Sequence, residues 1–361
     1  MDSTDEREGS VLVDDGPPAA RPPRHPRPRG LRRLLVALGV LVGVFVLVVG
    51  GGAWYLTDRY AGNIDRIADV FSGLDEDARP APATPAVPGG AEPVTFLLVG
   101  TDTRATADEG IAAGGRSDAI MLARLSGDRQ HAQLVSIPRD SWVDIPGRGV
   151  NKINAAYAFG GPTLLVQTVE QLTQVRIDHY VAIDFEGIAQ VTDDLGGVDV
   201  VVAETTSNGP YTFPAGVNHL DGDQARWYLG QRYGLAGGDF DRVRRQQQFL
   251  EAVFSQLFTA DTFTDPGRLD SALLAVTDAV AVDESLDDSD LLGLVYSLRG
   301  LQPEDVDSFT APVLGTGREG TASVVYLDEV NGERMWAYLN YDSLGQNADE
   351  FAAQALPDVP R

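Results

Sequence analysis

The run Leu34–Leu56 constrains this chain more than any other stretch, because it contains no charged residue. At about 1.5 Å per residue, a helix over it reaches roughly 34 Å, enough for a hydrocarbon core of about 30 Å. Arg21, Arg24, Arg27, Arg29, Arg32 and Arg33 precede it, and Trp54 and Tyr55 stand at its far end. Basic flanks stay cytoplasmic and aromatic rings settle at the membrane interface. The run therefore reads as one transmembrane helix with a cytoplasmic N-terminus, placing everything after Asp58 outside the cell. A cleaved signal peptide is the rival reading. The run is long for an h-region, and no small-x-small site directly follows it.

The anchor divides the rest. Residues 1–33, rich in Pro and Arg, are expected to be disordered. Residues 57–93 form a juxtamembrane segment and a Pro/Ala-rich spacer. Ile64, Ile67, Val70 and Phe71 there have helical spacing. The globular region is expected over 94–345, with its motif core at 94–258 and a loosely held tail after it, 346–361.

Apolar runs predict strands over 94–99, 118–125, 131–137, 178–184 and 198–202. Helical spacing predicts helices over 163–175, 185–195, 221–228, 239–258, 268–281 and 289–299. Pro162 stands where the first can begin, and Asp221 can cap the third. Val243, Leu250, Val253, Phe254, Leu257 and Phe258 give the 239–258 helix one apolar stripe. Arg242, Arg245 and Gln246, at i, i+3 and i+4, lie side by side off that stripe. A hairpin is expected from Val324–Val330 through Asn331-Gly332 into Arg334–Leu339. Gly315–Gly320 matches G-x-G-x-x-G, but a strand pattern follows it. It reads as a glycine-rich loop and not a dinucleotide site.

Composition removes several functional classes. There is no cysteine, so disulfides, thiolate metal sites and cysteine nucleophiles are excluded. The four histidines, His25, His131, His179 and His219, show no zinc-site spacing. The net charge is −25 and Lys152 is the only lysine, which argues against nucleic acid as a partner.

Charge nevertheless gathers at strand ends. Asp102 and Arg104 follow the first apolar run, Arg116 and Asp118 begin the second, and Arg139 and Asp140 follow the third. Carboxylates and guanidiniums at buried strand ends need partners. Asp102 and Asp118 can pair with nearby arginines, or supply the hard oxygen ligands of Mg²⁺, with Mn²⁺ as the substitute. Arg116, Arg139, Arg232, Arg242 and Arg245 can form surface ion pairs, or hold phosphate oxygens in bidentate fashion.

Seven ordered motifs add a resemblance. They are Leu98-Val-Gly-Thr-Asp-Thr-Arg104, Gly115-Arg-Ser-Asp-Ala-Ile-Met-Leu122, Val135-Ser-Ile-Pro-Arg-Asp140, Asn151-Lys-Ile-Asn-Ala-Ala-Tyr157, Leu195-Gly-Gly-Val-Asp199, Leu220-Asp-Gly222 and Asp239-Phe-Asp-Arg-Val-Arg-Arg-Gln-Gln247. Behind a single anchor, this set resembles the LytR-CpsA-Psr family of cell-wall glycopolymer ligases. The resemblance implies an α/β fold, an α/β/α sandwich around a central mixed β-sheet, with a hydrophobic groove for a polyprenyl chain. It implies a phosphotransferase that moves a glycopolymer from a polyprenyl-pyrophosphate carrier in the membrane to a peptidoglycan sugar hydroxyl. Asp102 and Asp118 match the metal-associated aspartates, and either could take the hydroxyl proton. Arg116, Arg139 and Arg232 match the pyrophosphate-contacting arginines, and Arg245 and Gln246 match the Arg-Gln-Gln motif. Arg104 and Arg242 are added to the phosphate set. Many members carry Arg-x-Arg where this chain has Gly230-Gln-Arg232, so one donor is missing. A non-catalytic lipid- or glycopolymer-binding protein is the alternative, and a membrane-bound transcriptional regulator is a weaker one.

Overall fold

The computed structural model describes residues 64–83, 91–101, 117–231, 233–257, 274, 277, 279–298, 301 and 305–356. Of two compact units, Met1–Ala53 and Trp54–Arg361, only the second contains described residues. The proposed anchor, the N-terminal segment and most of the 268–281 helix lie outside them. No described helix is long and apolar enough to cross a membrane.

In chain order the strands are β1 (Asp65–Ile67), β2 (Val94–Thr101), β3 (Ser117–Leu125), β4 (Ala132–Ser136), β5 (Trp142–Ile145) and β6 (Gly149–Lys152). Helix α1 (Asn154–Thr173) leads to β7 (His179–Asp184), α2 (Phe185–Asp194) and β8 (Val198–Val202). Then come β9 (Thr206–Asn208), β10 (Tyr211–Phe213), β11 (Gly216–Leu220), α3 (Gly222–Leu229) and α4 (Asp239–Leu257). The chain continues with β12 (Val280–Asp283), α5 (Asp288–Ser297), β13 (Val306–Thr310), β14 (Val313–Glu319), β15 (Ala322–Leu327) and α6 (Glu329–Asn340).

Among the described residues, seven strands form the central sheet in the order β1-β12-β7-β2-β3-β4-β13. It is mixed: β2 runs parallel to β7 and antiparallel to β3, while β4 is antiparallel to β3 and parallel to β13. Period-two alternation turns Leu97, Val99, Ile120, Leu122 and Val135 to one face, where α1 and α6 cover them in a single core cluster. A second cluster joins α2, α3 and α4 to β8 and β11.

Local chemistry explains the well-placed elements. Gly160 and Gly161 leave helical geometry, so Pro162 opens the second half of α1 where its missing N–H costs nothing. Asp221 caps α3 through Gln224 N at 2.8 Å, and the Gln224 side chain answers at Asp221 N, 3.0 Å.

Four expectations are corrected. The juxtamembrane helix is replaced from Asp65 by β1, which pairs in parallel with β12, so the folded region begins well before Val94. The hairpin expected at Val324–Leu339 is β15 followed by α6. Asp328 caps that helix at Asn331 N, and Gly332, Met335, Trp336 and Leu339 are buried at helical spacing, which outweighs the Asn-Gly turn signal. Gly315–Glu319 is strand and not loop; β14 turns back into β15 at Gly320, whose φ is +60°. The C-terminal segment is not loose throughout. Leu344 and Phe351 are buried in the core cluster, and Phe309 bridges Ala355.

Candidate active site

Three strand ends meet at one edge of the sheet. Thr101 closes β2, facing Ser117 at the start of β3 on one side and Asp184 at the end of β7 on the other. Asp102 follows Thr101 and Asp118 follows Ser117, so both aspartates issue from one cross-strand pair. Asp102, Arg104, Arg116 and Arg232 lie outside the described residues, as does the side chain of Asp118. Ser117 is fully buried and its Oγ has no hydrogen-bond partner among them. A buried hydroxyl without a partner is costly, which marks this end as a polar site. No group of three or more metal-ligating side chains stands among the described residues, and the cation expected on Asp102 and Asp118 rests on side chains outside them.

Arg139 reaches the same edge after β4. Its half-buried position is set by its backbone: Asn154 N, at the start of α1, donates to Arg139 O at 3.2 Å. Val325 N donates to Asp140 O at 2.9 Å, and Lys152 Nζ pairs with Asp140 at 3.0 Å. Ser141 closes the turn, donating from N and Oγ to Pro138 O. A core helix and a core strand thus grip the Pro138–Ser141 turn.

The first turns of α4 differ from a helix with one wet side. Arg242, Arg245 and Gln246 are 2%, 0% and 3% exposed, and Asp241, Val243 and Gln247 are buried beside them. Nη1 of Arg245 donates to Gln231 Oε1 at 2.7 Å and Nη2 to Thr206 Oγ1 at 2.9 Å. Its guanidinium carbon stands 4.5 Å from the Tyr228 ring centroid, a cation–π distance. Burial pulls its pKa below the ordinary arginine value, yet a guanidinium stays charged. Those hydrogen-bond acceptors are neutral, and Nε has no partner among the described residues. Gln246 Oε1 is likewise buried without one. The Asp241 carboxylate also acts on the Arg245 guanidinium through space and favours its charged form, but the hydrogen bonds of Arg245 go to neutral groups. A buried charge hydrogen-bonded only to neutral groups is expensive, and a further anion would offset that cost.

Sequence reading missed the residues that hold Arg245. Gln231 is fully buried between Gly230 and Arg232, and no spacing rule singles it out, nor Thr206 or Tyr228. Asp241, 1% exposed, was passed over too; it accepts from Gly237 N at 2.6 Å and from Arg244 at 3.3 Å, bracing the entry to α4. Gly230 is the C-cap of α3, in right-handed conformation. A Cβ there would stand 3.1 Å from Arg226 O, so a side chain fits with a shift of a few tenths of an ångström.

The two faces of the sheet also differ. Opposite the closed core face, Phe96, Leu98, Ala123, Leu134, Val181 and Ile183 align across β2, β3, β4 and β7 and are partly exposed, while Met121 and Ala119, on the same face nearer the start of β3, are buried. An incompletely covered apolar sheet face, ending at an edge that gathers arginine and aspartate, suits an amphipathic ligand with a charged head.

The chain is similar to proteins of known name and structure. The polyisoprenyl-teichoic acid–peptidoglycan teichoic acid transferase TagU of Enterococcus faecalis is 32% identical over 74% of this chain and 84% of its own length. The probable cell wall biosynthesis protein LcpB of Corynebacterium glutamicum is 34% identical over 72% of this chain and 63% of its own length. Among solved structures, Bacillus subtilis TagV superposes with a TM-score of 0.58 at 28% identity, covering 69% of this chain and 97% of TagV. A structure of TagT bound to LI-WTA gives 0.54 at 26% identity, over 70% of this chain and 90% of TagT. Residues 74–340 match the LytR_cpsA_psr family, and this protein belongs to it.

Proposed function

We propose that this protein is a membrane-anchored phosphotransferase of cell-wall assembly, moving a glycopolymer from a polyprenyl-pyrophosphate carrier to a sugar hydroxyl of peptidoglycan. One observation carries the reading: Arg245 is fully buried, its guanidinium hydrogen-bonds only the neutral Gln231 and Thr206, and its Nε has no partner among the described residues. A lipid pyrophosphate would supply a directly bonded anion for the guanidinium and an apolar chain for the partly open sheet face. The transferase names of the relatives support the same reaction class.

In this reading the acceptor hydroxyl attacks the phosphorus next to the glycopolymer. The new O–P bond forms as the bond to the bridging oxygen breaks, and polyprenyl phosphate leaves with that oxygen. Arg139 and Arg245, with Arg104, Arg116, Arg232 and Arg242, hold the phosphate oxygens and offset charge as it moves to the leaving group. Gln246 orients the head group. Asp102 or Asp118 takes the hydroxyl proton. Bound Mg²⁺ on Asp102 and Asp118 would add further charge neutralisation at the phosphates. The run Leu34–Leu56 keeps the enzyme beside a donor confined to the bilayer, with its N-terminus cytoplasmic and its catalytic region extracytoplasmic.

The test is turnover by the full chain in detergent, using a short polyprenyl-pyrophosphate-linked saccharide. Release of polyprenyl phosphate that stops with EDTA and returns with Mg²⁺ is expected. Donor binding with no release would transfer the protein to the non-catalytic alternative.

A further inference from the structure

A second concave surface lies among the elements that cover the closed face of the sheet. It is a groove of about 910 Å³ between the β5–β6 hairpin, the end of α1, the β14–β15 hairpin and the first turns of α6. Trp142, Tyr326 and Trp336 line it. So do Val150, Leu314 and Val330, 53%, 73% and 70% exposed, three of the large apolar side chains most open to solvent among the described residues.

Its charge is of one sign. Asp144, Asp328, Glu329 and Glu333 line the groove, and among the described residues no lysine or arginine does. Asp328 is committed to capping α6. Glu329 and Glu333 are exposed and one helical turn apart. Asp144 accepts from Gln171 Nε2 at 3.2 Å, setting a carboxylate beside an amide at the rim. The groove also connects with the reaction end: Trp142 lies three residues beyond Arg139, just after the Pro138–Ser141 turn. Asp140 O, between them, is bonded to β15 one residue before Tyr326.

Aromatic faces with planar carboxylate and amide groups at the rim match a saccharide, whose C–H faces stack and whose hydroxyls donate. The acidic rim repels a phosphate-bearing polymer, so it selects against the donor. Gly332 also lines the groove, and a Cβ there would make ordinary van der Waals contact with Trp336 Nε1 at 3.5 Å, adding a methyl group to the lining. Resting on the proposed reaction, we propose that this groove is the acceptor site, binding an uncharged N-acetylated hexosamine chain and feeding its hydroxyl toward Arg139.

The probe is N-acetylated chitotetraose, titrated by tryptophan fluorescence into the full chain in detergent and supplied as acceptor in donor-turnover assays. Saturable binding is expected. Trp142→Ala should weaken it about ten-fold or more, and Gly332→Ala should weaken it less. Both should raise the acceptor KM and leave the donor KM unchanged. Leu314→Asp, at an exposed position, replaces Trp142→Ala if that variant does not fold. Unchanged binding in these variants, with donor turnover intact, overturns the groove assignment alone. Groove-dependent saccharide binding without any donor turnover supports the groove and overturns the reaction. A synthetic peptide of residues 17–33, Pro- and Arg-rich, is the competitor; preferential binding of that peptide makes the groove a peptide site and overturns the proposal.

Discussion

The two faces of the central sheet come from the same strands, residue by alternate residue, and were built to different ends. Leu97, Val99, Leu122 and Val135 are sealed under α1 and α6. Phe96, Leu98, Ala123 and Leu134, each next door in sequence, are only half covered. Close packing stabilises the first face; the second gives up part of that stabilisation over Phe96, Leu98, Ala123 and Leu134 and closes again at Met121 and Ala119, toward the start of β3.

The largest expected effect tests the catalytic end. Arg245→Met keeps much of the volume and removes the charge. Turnover should fall about 10²- to 10³-fold, the usual cost of one lost charge-stabilising donor. Stability should change far less, because Gln231 and Thr206 lose a partner but no longer surround a buried charge. A variant with near-normal turnover would make Arg245 a packing residue and break the comparison at its centre.

The faces themselves separate next. Leu122→Ala on the sealed side should cost about 2–5 kcal/mol in denaturant unfolding. Leu98→Ala should cost well under half of that, since its side chain is already partly solvated, and should raise the KM for a long-chain donor. Equal losses would mean that the second face is also core.

Gly230→Arg should act more gently. Its position tolerates a side chain, and restoring a donor beside Arg232 should raise turnover several-fold, on the order of 1 kcal/mol or less. Reduced turnover would show the glycine to be an adaptation to a different donor.

The smallest effect is one of pH. Asp199, by hydrogen bond, and then Gly196 O raise the pKa of His219 above its ordinary value. The link from β11 to the turn before β8 is therefore fully present below about pH 6.5 and fades as pH rises through the shifted value. The pair is well exposed, so the change should be local. Amide exchange near Gly196 should quicken from pH 5.5 to pH 8 in the native protein, and His219→Gln should abolish that dependence.

Much of the architecture was legible because it rests on local rules. Apolar runs place β2, β3, β4, β7 and β8 within a residue or two. Asp221 and Pro162 act where capping and N1 preferences put them. The failures are competitions between local signals. Asn331-Gly332 is a strong turn pair, yet Asp328 and the buried stripe Met335, Trp336 and Leu339 carry it into a helix. At β1, partners more than 200 residues away decide that a helically spaced segment becomes a strand.

The seven motifs and their order identify the family from sequence alone, and charged strand ends announce an acid-and-arginine edge. Register and burial belong to tertiary structure. Only folding shows that Thr101 faces Ser117, that Arg245 is surrounded by Gln231, Thr206 and Tyr228, and that one sheet face is closed and its opposite half-open. The reason is physical. A residue's type and its neighbours in the chain set which groups are available, but the free energy of a charge or an apolar side chain depends on what surrounds it. Those surroundings are assembled from distant parts of the chain.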